Sequence, residues 1–248
     1  MNTISLIIAS ALISIPIFIS YKEDLKLEKE IIISMIRAII QLILVGYILE
    51  YVFNLKNSAF TIIILLIMTF IAALNTKKRG KEIKNVVFVS FISLIVGSSI
   101  TLTILVLSGA IKFVPNQIIP VAGMVISNSM VAIGLSYRNL SNSFKTRLNE
   151  VEVKLSLGSD IYSASKEIIR DSVKTSMLPS IDSAKTLGIV SLPGMMTGLI
   201  LGGTSPLIAI KFQIMVTFMI LASTSISSIM ATYIAYKSFF NERKQVQI

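Results

Sequence analysis

Seven apolar segments that reach or approach the length needed to cross a bilayer constrain this chain more than any other feature. The hydrocarbon core of a bilayer is about 30 Å thick, and roughly 20 helical residues cross it. Backbone N–H and C=O groups in lipid must be bonded within the protein, which restricts such segments to helices here. The segments are residues 3–20, 31–53, 59–74, 86–111, 118–136, 187–201 and 207–236. We therefore predict an all-α, polytopic membrane helical bundle of about seven transmembrane helices.

The composition is typical of a membrane protein and excludes disulfides and some kinds of metal site. Of the 248 residues, 54% are hydrophobic, and the mean hydropathy of +0.81 is far above that of soluble domains. The chain has no cysteine and no histidine, which excludes disulfides and metal sites built from thiolates or imidazoles. The net charge of +10 is explained by membrane topology, so no nucleic-acid partner is predicted. We expect one transmembrane domain over residues 1–248, with the first span retained because no cleavage pattern follows it.

Basic residues lie almost entirely on one side of the predicted spans. Leaving aside Arg37 inside the second span, nineteen Lys and Arg fall on one side, and Lys56, Lys112 and Lys211 fall on the other. Because cytoplasmic loops are enriched in Lys and Arg, we expect the N-terminus outside and the C-terminus in the cytoplasm. This predicts a multi-pass protein of the cell membrane, a bacterial inner membrane or a plasma membrane, with residues 138–185 as its cytoplasmic segment.

The cytoplasmic segment carries two amphipathic patterns. Phe144, Leu148, Val151 and Leu155 recur at spacings of three and four, which predicts a helix with one apolar stripe. Gly158 is expected to end this helix in a left-handed conformation. A second helix is predicted to begin at a cap provided by Ser159 or Asp160 and to stop at residues 177–179, where Pro179 stands.

Two predicted spans contain polar groups that are costly in lipid and could line a substrate pathway. Arg37 and Gln41 are four apart on the second span, and Ser127 and Asn128 are adjacent on the fifth. Such groups usually point into a bundle or a water-filled path. Alternatively, Arg37 extends to the cytoplasmic interface, and Asn128 makes an interhelical hydrogen bond without a substrate role.

Methionines are frequent in the last three predicted spans, and Met130, Met195 and Met196 are candidates for lining the pathway. Thioethers can receive a soft metal or an irregular organic substrate, although filling gaps between helices is their commoner use. No carboxylate lies at the centre of a predicted span. This argues against a dehydrated site for a hard cation within the bilayer and leaves any metal ligands unassigned.

Gly194, Gly198 and Gly202 recur at intervals of four in the sixth predicted span. Residues without side chains at this spacing leave a smooth helical face that a neighbouring helix can approach closely. We predict a packing role for these three glycines.

The chain shows no sequence pattern of an enzyme. It has no Gly-x-x-x-x-Gly-Lys-Ser/Thr phosphate loop, so it cannot bind and split ATP by that route. We therefore predict neither a catalytic residue nor a cofactor in this chain.

Several stretches resemble a known family of transport proteins. Glu152 and Gly158 have the spacing of the Glu-Ala-Ala-x-x-x-Gly element of ABC-transporter permeases, although Val153 and Lys154 replace both alanines. Residues 35–46, 123–135 and 185–213, including the run Ser-Leu-Pro-Gly-Met-Met-Thr-Gly, look like the iron-export ABC permeases known as FetB-type, a UPF0014-like family with relatives among plant aluminium-tolerance permeases. The resemblance covers most of the chain, and Ser127 stands where glycine is expected.

The resemblance implies a permease subunit that moves a metal such as iron, free or chelated, outward. It implies a separate ABC ATPase subunit that holds the ATP and Mg, and a second copy of this chain. Glu152, Gly158, Leu148, Val151 and Leu155 would then form the ATPase-coupling element on the cytoplasmic side. The bilayer is the remaining partner.

Two other transport functions remain open from the sequence, as does a membrane scaffold that transports nothing. One is a secondary transporter driven by an ion gradient, which would need no ATPase but lacks the membrane carboxylates and histidines that usually carry protons. The other is an ABC exporter of an organic anion or a nucleotide sugar.

Overall fold

The structure is a computed structural model that describes residues 9–55 and 58–247. It is helical throughout, and the described residues form two isolated β-bridges but no strand. The helices are α1 (Ser14–Lys22), α2 (Glu28–Leu55), α3 (Ser58–Thr76), α4 (Val86–Leu107), α5 (Pro115–Thr146), α6 (Leu148–Ser156), α7 (Ile161–Thr186), α8 (Gly194–Leu201) and α9 (Pro206–Ala235), with short 3₁₀ turns at Ala11–Ile13 and Tyr236–Phe239. The all-α fold class is confirmed.

The chain divides into two compact units, Met1–Lys56 and Asn57–Ile248. In the first unit, α1 and α2 form a helical hairpin. Ser20 Oγ donates a hydrogen bond to Glu28 Oε1 at 2.6 Å, and Leu27 N donates to Ser20 Oγ at 3.0 Å. Residues 3–8 of the first predicted span lie outside the described residues. The prediction of a single domain stays a prediction.

In the second unit, α9 packs against α4, α5 and α7. Its polar contacts fix the helix directions. Thr232 on α9 hydrogen-bonds Ser136 on α5, and Phe239 stacks on Phe144 at 4.4 Å between ring centroids, so α5 and α9 run in the same direction. The C-termini of both helices lie on the same side of the bundle as the loop of residues 77–84. We call this side the basic end.

Small residues let the helices of this unit approach closely. A methyl group at Gly97 on α4 would overlap Ser227 on α9, and one at Gly134 on α5 would come within 2.7 Å of the Arg79 side chain. Buried hydroxyls accompany these contacts. The Ser90 hydroxyl oxygen lies 2.7 Å from the Thr76 hydroxyl oxygen and 3.0 Å from the Tyr137 hydroxyl oxygen. Small residues and hydroxyl hydrogen bonds thus join α3, α4, α5 and α9.

Five described helices are long and apolar enough to cross a membrane: Glu28–Glu50, Ser58–Thr76, Val86–Leu107, Pro115–Thr146 and Pro206–Phe239. The apolar helix Ala11–Lys22 is shorter. The predicted sixth span, residues 187–201, is not one helix. Residues 187–193 form a turn bridged between Leu187 and Ser191, and α8 has only eight residues.

The helix predicted to stop at Pro179 does not stop there. It runs from Ile161 to Thr186 with Pro179 inside it. Proline removes one backbone hydrogen bond and favours a kink, but packing of α7 along α5 and α9 outweighs this local preference. α7 runs back along α5 away from the basic end. The placement of residues 138–185 in the cytoplasm stays a prediction.

The first amphipathic pattern also differs from the prediction. Phe144 belongs to α5, which ends at Thr146, and α6 begins anew at Leu148. The chain breaks at Arg147, whose backbone is not helical (φ −111°, ψ 24°). Ion pairs formed by the Arg147 side chain accompany this break.

Candidate functional site

A helical hairpin formed by α6, Gly158 and the start of α7 lies at the basic end. Gly158 has φ +90°, as expected for the residue that ends α6. Gly158 N donates to Leu155 O at 2.9 Å, and Ser159 N donates to Lys154 O at 3.1 Å. Asp160 caps α7, because its carboxylate accepts a hydrogen bond from Tyr162 N at 3.1 Å. The sequence predicted both the glycine and the cap.

The apolar stripe of α6 points into the protein's own core. Val151 is 1% exposed, Leu148 and Leu155 are half-buried, and Leu155 packs on the main core cluster. These three side chains therefore hold α6 against the bundle. Their membership of an ATPase-coupling element stays a prediction, in which they would act by positioning the helix.

The opposite face of the hairpin is open. Glu152 is exposed, and two apolar side chains beside it, Val153 and Leu157, are 58% and 81% exposed. Val153 and Leu157 are four residues apart, so they lie on the same face of α6. Sequence reasoning missed this pair because it assigned the apolar side chains of α6 to one stripe.

Arg147 ties the hairpin together through three carboxylates. Its guanidinium lies 2.7 Å from Glu150, 2.5 Å from Glu167 and 3.2 Å from Asp171, so it joins α6 to α7. Lys154 adds an ion pair with Glu150 at 2.6 Å. Hydrogen bonds from Arg147 and then from Lys154 lower the pKa of Glu150 to about 2. Glu167 and Asp171 are exposed but share this arginine.

A cavity of about 460 Å³ lies between α5, α7, α8 and α9. Its polar wall consists of amides and hydroxyls from Asn128, Ser176, Ser180, Ser183, Gln213 and Thr217, and Met124 and Met195 add thioethers. Asn128 Nδ2 donates to Met124 O at 2.8 Å, within its own helix. Gln213 Oε1 is buried and has no hydrogen-bond partner among the described residues. The cavity can therefore offer hydrogen bonds to a bound solute.

Some predicted pathway residues meet at this cavity and others do not. Asn128 and Met195 line it, whereas Ser127 is exposed, Met130 packs on the core and Met196 is buried elsewhere. Arg37 and Gln41 lie on α2 in the first unit, four residues apart and both exposed.

Sequence reasoning missed Ser176, Ser180 and Ser183, whose spacing of four and three places them on one face of α7. It also missed Gln213 and Thr217, which are four apart on α9. Polar residues at helical spacing were the available signal. The assignment of α7 to the cytoplasm removed its serines from consideration.

The predicted glycine face meets no neighbour in the described part of the chain. No atom lies within 4 Å of a methyl group built at Gly194 or Gly198, and Gly202, which follows α8, contacts only the backbone of that helix. Gly194 lines the cavity. The packing role of these three glycines stays a prediction.

In residues 9–55 and 58–247 no three acidic, histidine or cysteine side chains are arranged so that they could hold a metal ion. One carboxylate nevertheless lies next to a residue of the cavity wall. Asp182 is on α7 beside Ser183, which faces the same cavity as Asn128 on α5. α7 runs along α5 at this point, and the side of the membrane on which Asp182 lies stays a prediction.

Comparison with known proteins places the chain in a family. The family model described as "Uncharacterised protein family (UPF0014)" matches residues 3–240. The chain is 49% identical to the "Probable iron export permease protein FetB" of Escherichia coli (strain K12), over 98% of this chain and 94% of that protein. It is 37% identical to "Protein ALUMINUM SENSITIVE 3" of Arabidopsis thaliana, over 96% and 88% of the two chains.

A further similar protein is the "UPF0014 membrane protein YjkA" of Bacillus subtilis (strain 168), which is 34% identical over 100% of this chain and 99% of that protein. No solved structure matches the chain. The relatives and the long apolar helices together establish a multi-pass membrane protein.

Proposed function

The chain belongs to the UPF0014 family, and on that premise we propose that it is the membrane permease subunit of an ABC exporter. A separate ATPase subunit binds ATP and Mg and hydrolyses the nucleotide. The cargo is a metal such as iron, free or chelated, and it moves outward. The name of the E. coli relative, a probable iron export permease, supports transport of iron in that direction.

The hairpin at the basic end is the observation that carries this proposal. A permease without its own nucleotide site must receive energy through a contact with its ATPase. The hairpin offers Glu152, Val153 and Leu157 on an exposed face, and Arg147 and the buried Val151 hold it to the bundle. An exposed apolar pair on a rigid, charged element is suited to a protein contact.

Movement of the hairpin can reach the cavity through one continuous helix. α7 begins at the hairpin and, 26 residues long, ends beside the cavity. A push at its start would displace Ser176, Ser180 and Ser183 together. Two copies of the chain over two ATPases would alternate access between inside and outside.

The decisive experiment is a pull-down with an ABC ATPase subunit as the candidate partner. We expect the full chain to retain the ATPase in detergent and the double variant Val153→Ser, Leu157→Ser to lose it. Leu107→Ser is the matched control, because Leu107 and Leu157 are both 81% exposed but Leu107 lies at the opposite end of the bundle.

ATP-dependent uptake of iron into inverted vesicles that contain both subunits tests the direction and the cargo. Free Fe²⁺ and an Fe³⁺ chelate should be compared in separate reactions. Uptake driven by an ion gradient without the ATPase would contradict the proposal and favour a secondary transporter.

A further inference from the structure

The outer face of α7 carries a pair of opposite charges far from the basic end. Lys185 Nζ lies 2.9 Å from Asp182 Oδ1, and both side chains are open to solvent, at 66% and 62% exposure. Between residues 58 and 247 every other Asp and Glu lies at the basic end, on the loop of residues 77–84, on the hairpin and its approach, or in the C-terminal segment. Asp182 is therefore an acidic group in an unusual place.

Contacts between α5 and α7 give the depth of this pair. Asn139 Nδ2 on α5 donates to Ser172 Oγ on α7 at 3.3 Å, close to the basic end. Further along, Ser183 and Leu187 on α7 face the same cavity as Asn128 and Met124 on α5. At 1.5 Å per residue, Asp182 lies roughly 15 Å beyond Ser172 along the helix axis.

That distance places the pair near the middle of the membrane. Arg138 is the charged residue of α5 nearest to its long apolar part and marks the interface on the basic side. About 15 Å is half of a hydrocarbon core that is about 30 Å thick. A charged side chain in the centre of a bilayer is energetically costly when it faces lipid. Asp182 and Lys185 must therefore face protein or water.

We propose that a second copy of this chain covers the outer face of α7, and that the two α7 helices line a water-filled path in which Asp182 and Lys185 are exposed. The description of that path as the export route rests on the proposed function. The face carries one positive and one negative group, so it is complementary to itself, which a two-fold interface requires. A carboxylate and the neighbouring serine hydroxyls are oxygen ligands of the kind that hard metal cations accept.

The natural absence of cysteine makes this proposal directly testable by single-cysteine variants of the full chain in native membranes. Leu178→Cys lies one turn before Asp182 on α7, and Leu178 is exposed. We expect it to form covalent dimers with a bifunctional thiol reagent. We expect Asp182→Cys to react with a charged methanethiosulfonate reagent added to inverted vesicles.

The matched control is Ile67→Cys in the middle of α3, whose side chain is exposed on an apolar helix. It should face lipid and give neither product. Intramolecular cross-linking of Leu178→Cys to a second cysteine at Ile43 on α2, without dimers, would overturn the proposal, because α2 would then be the cover. Failure of Asp182→Cys to react, with Leu157→Cys reactive in the same vesicles, would overturn the water-filled path.

These measurements need neither the ATPase nor a transported solute. If the ATPase is not retained in the pull-down but cross-linking still occurs, the proposed function is contradicted and the interface is still supported. Retained pull-down without cross-linking or labelling would remove the interface alone.

A second arm tests the charges themselves by transport. We expect loss of ATP-dependent iron uptake in Asp182→Leu, with the ATPase still retained in the pull-down, and recovery in the exchanged variant Asp182→Lys, Lys185→Asp. Full uptake by Asp182→Leu would contradict a role of this carboxylate in the path.

Discussion

Arg147 is the single residue on which the geometry of the hairpin depends most. It sits at the break between α5 and α6 and reaches carboxylates on both α6 and α7. Each ion pair is at least partly exposed and contributes at most about 1 kcal/mol. The effect of the cluster is therefore on the position and mobility of the hairpin more than on overall stability.

Arg147→Met should loosen the hairpin, because it leaves Glu150, Glu167 and Asp171 close together without their shared cation. We expect faster hydrogen exchange in α6 and weaker retention of the ATPase, with the melting temperature in detergent almost unchanged. Arg138→Met is the control, because Arg138 is exposed and makes no ion pair with the described residues. Equal exchange in α6 for both variants would contradict the role of Arg147.

Acid should also loosen the hairpin. The pKa of Glu150 falls from 4.5 to about 2 in the folded protein, so its ionised form is the form that the fold favours. Its contribution to stability is complete above the unfolded pKa and is lost as the pH falls from about 4.5 towards about 2. Exchange in α6, corrected for the intrinsic rate, should rise over this range. In Glu150→Gln this acid-induced increase in the exchange rate should be smaller. An increase equal to that of the unmodified chain would show that other carboxylates cause it.

At the scale of an element, Gly158 sets the angle at which α6 leads into α7. Its φ of +90° is a conformation that residues with a Cβ atom adopt rarely. A methyl group built there meets no atom within 4 Å, so the requirement is one of backbone conformation and not of space.

Gly158→Val should therefore cost about 1–2 kcal/mol and shift the hairpin. Gly158→Asn should be tolerated, because asparagine enters the left-handed region much more readily. The melting temperature measures the loss of stability, and the ATPase pull-down measures the effect of the shifted hairpin. Similar losses for Val and Asn would show that a side chain at this position is itself harmful, through contact with a partner.

The approach of α4 to α9 depends on Gly97 in a different way. A methyl group there would overlap Ser227 and lie 3.1 Å from Ser223 O, so here the requirement is space. Gly97→Leu should lower the melting temperature, with overpacking costs of about 1–3 kcal/mol. Gly198→Leu is the control, because nothing lies within 4 Å of that site. Equal losses would contradict the close approach of the two helices.

For the whole molecule, the decisive property is which end of the bundle faces the cytoplasm. The hairpin, the loop of residues 77–84 and the C-terminal segment lie at one end, and the turn with Lys112 lies at the other. The distribution of Lys and Arg predicts that the basic end is cytoplasmic.

Thiol labelling tests this orientation in a chain that has no native cysteine. We expect Leu157→Cys to react with a membrane-impermeant maleimide in inverted vesicles and not in intact cells. Lys112→Cys should show the reverse pattern. The opposite result for both variants would invert the topology and remove the hairpin as an ATPase contact.

The sequence by itself determined the membrane class, the helical fold and the local hairpin signals. Apolar length, the glycine at position 158 and the carboxylate cap at Asp160 are local properties, and local structure follows them directly. The basic end is likewise visible in the order of charges along the chain. Asn128 and Met195, predicted to line a substrate pathway, both lie in the wall of one cavity, and their role in a pathway stays a prediction.

Only the tertiary structure decided where α7 lies. A hydropathy window measures one segment alone, and the polar composition of α7 and its Pro179 both suggested a cytoplasmic helix that stops early. Packing against α5 and α9 instead carries the helix through the proline and takes Asp182 and Lys185 along the transmembrane helices. Neighbours distant in sequence decide whether a polar helix is surrounded by water or by protein, and one sequence does not list those neighbours.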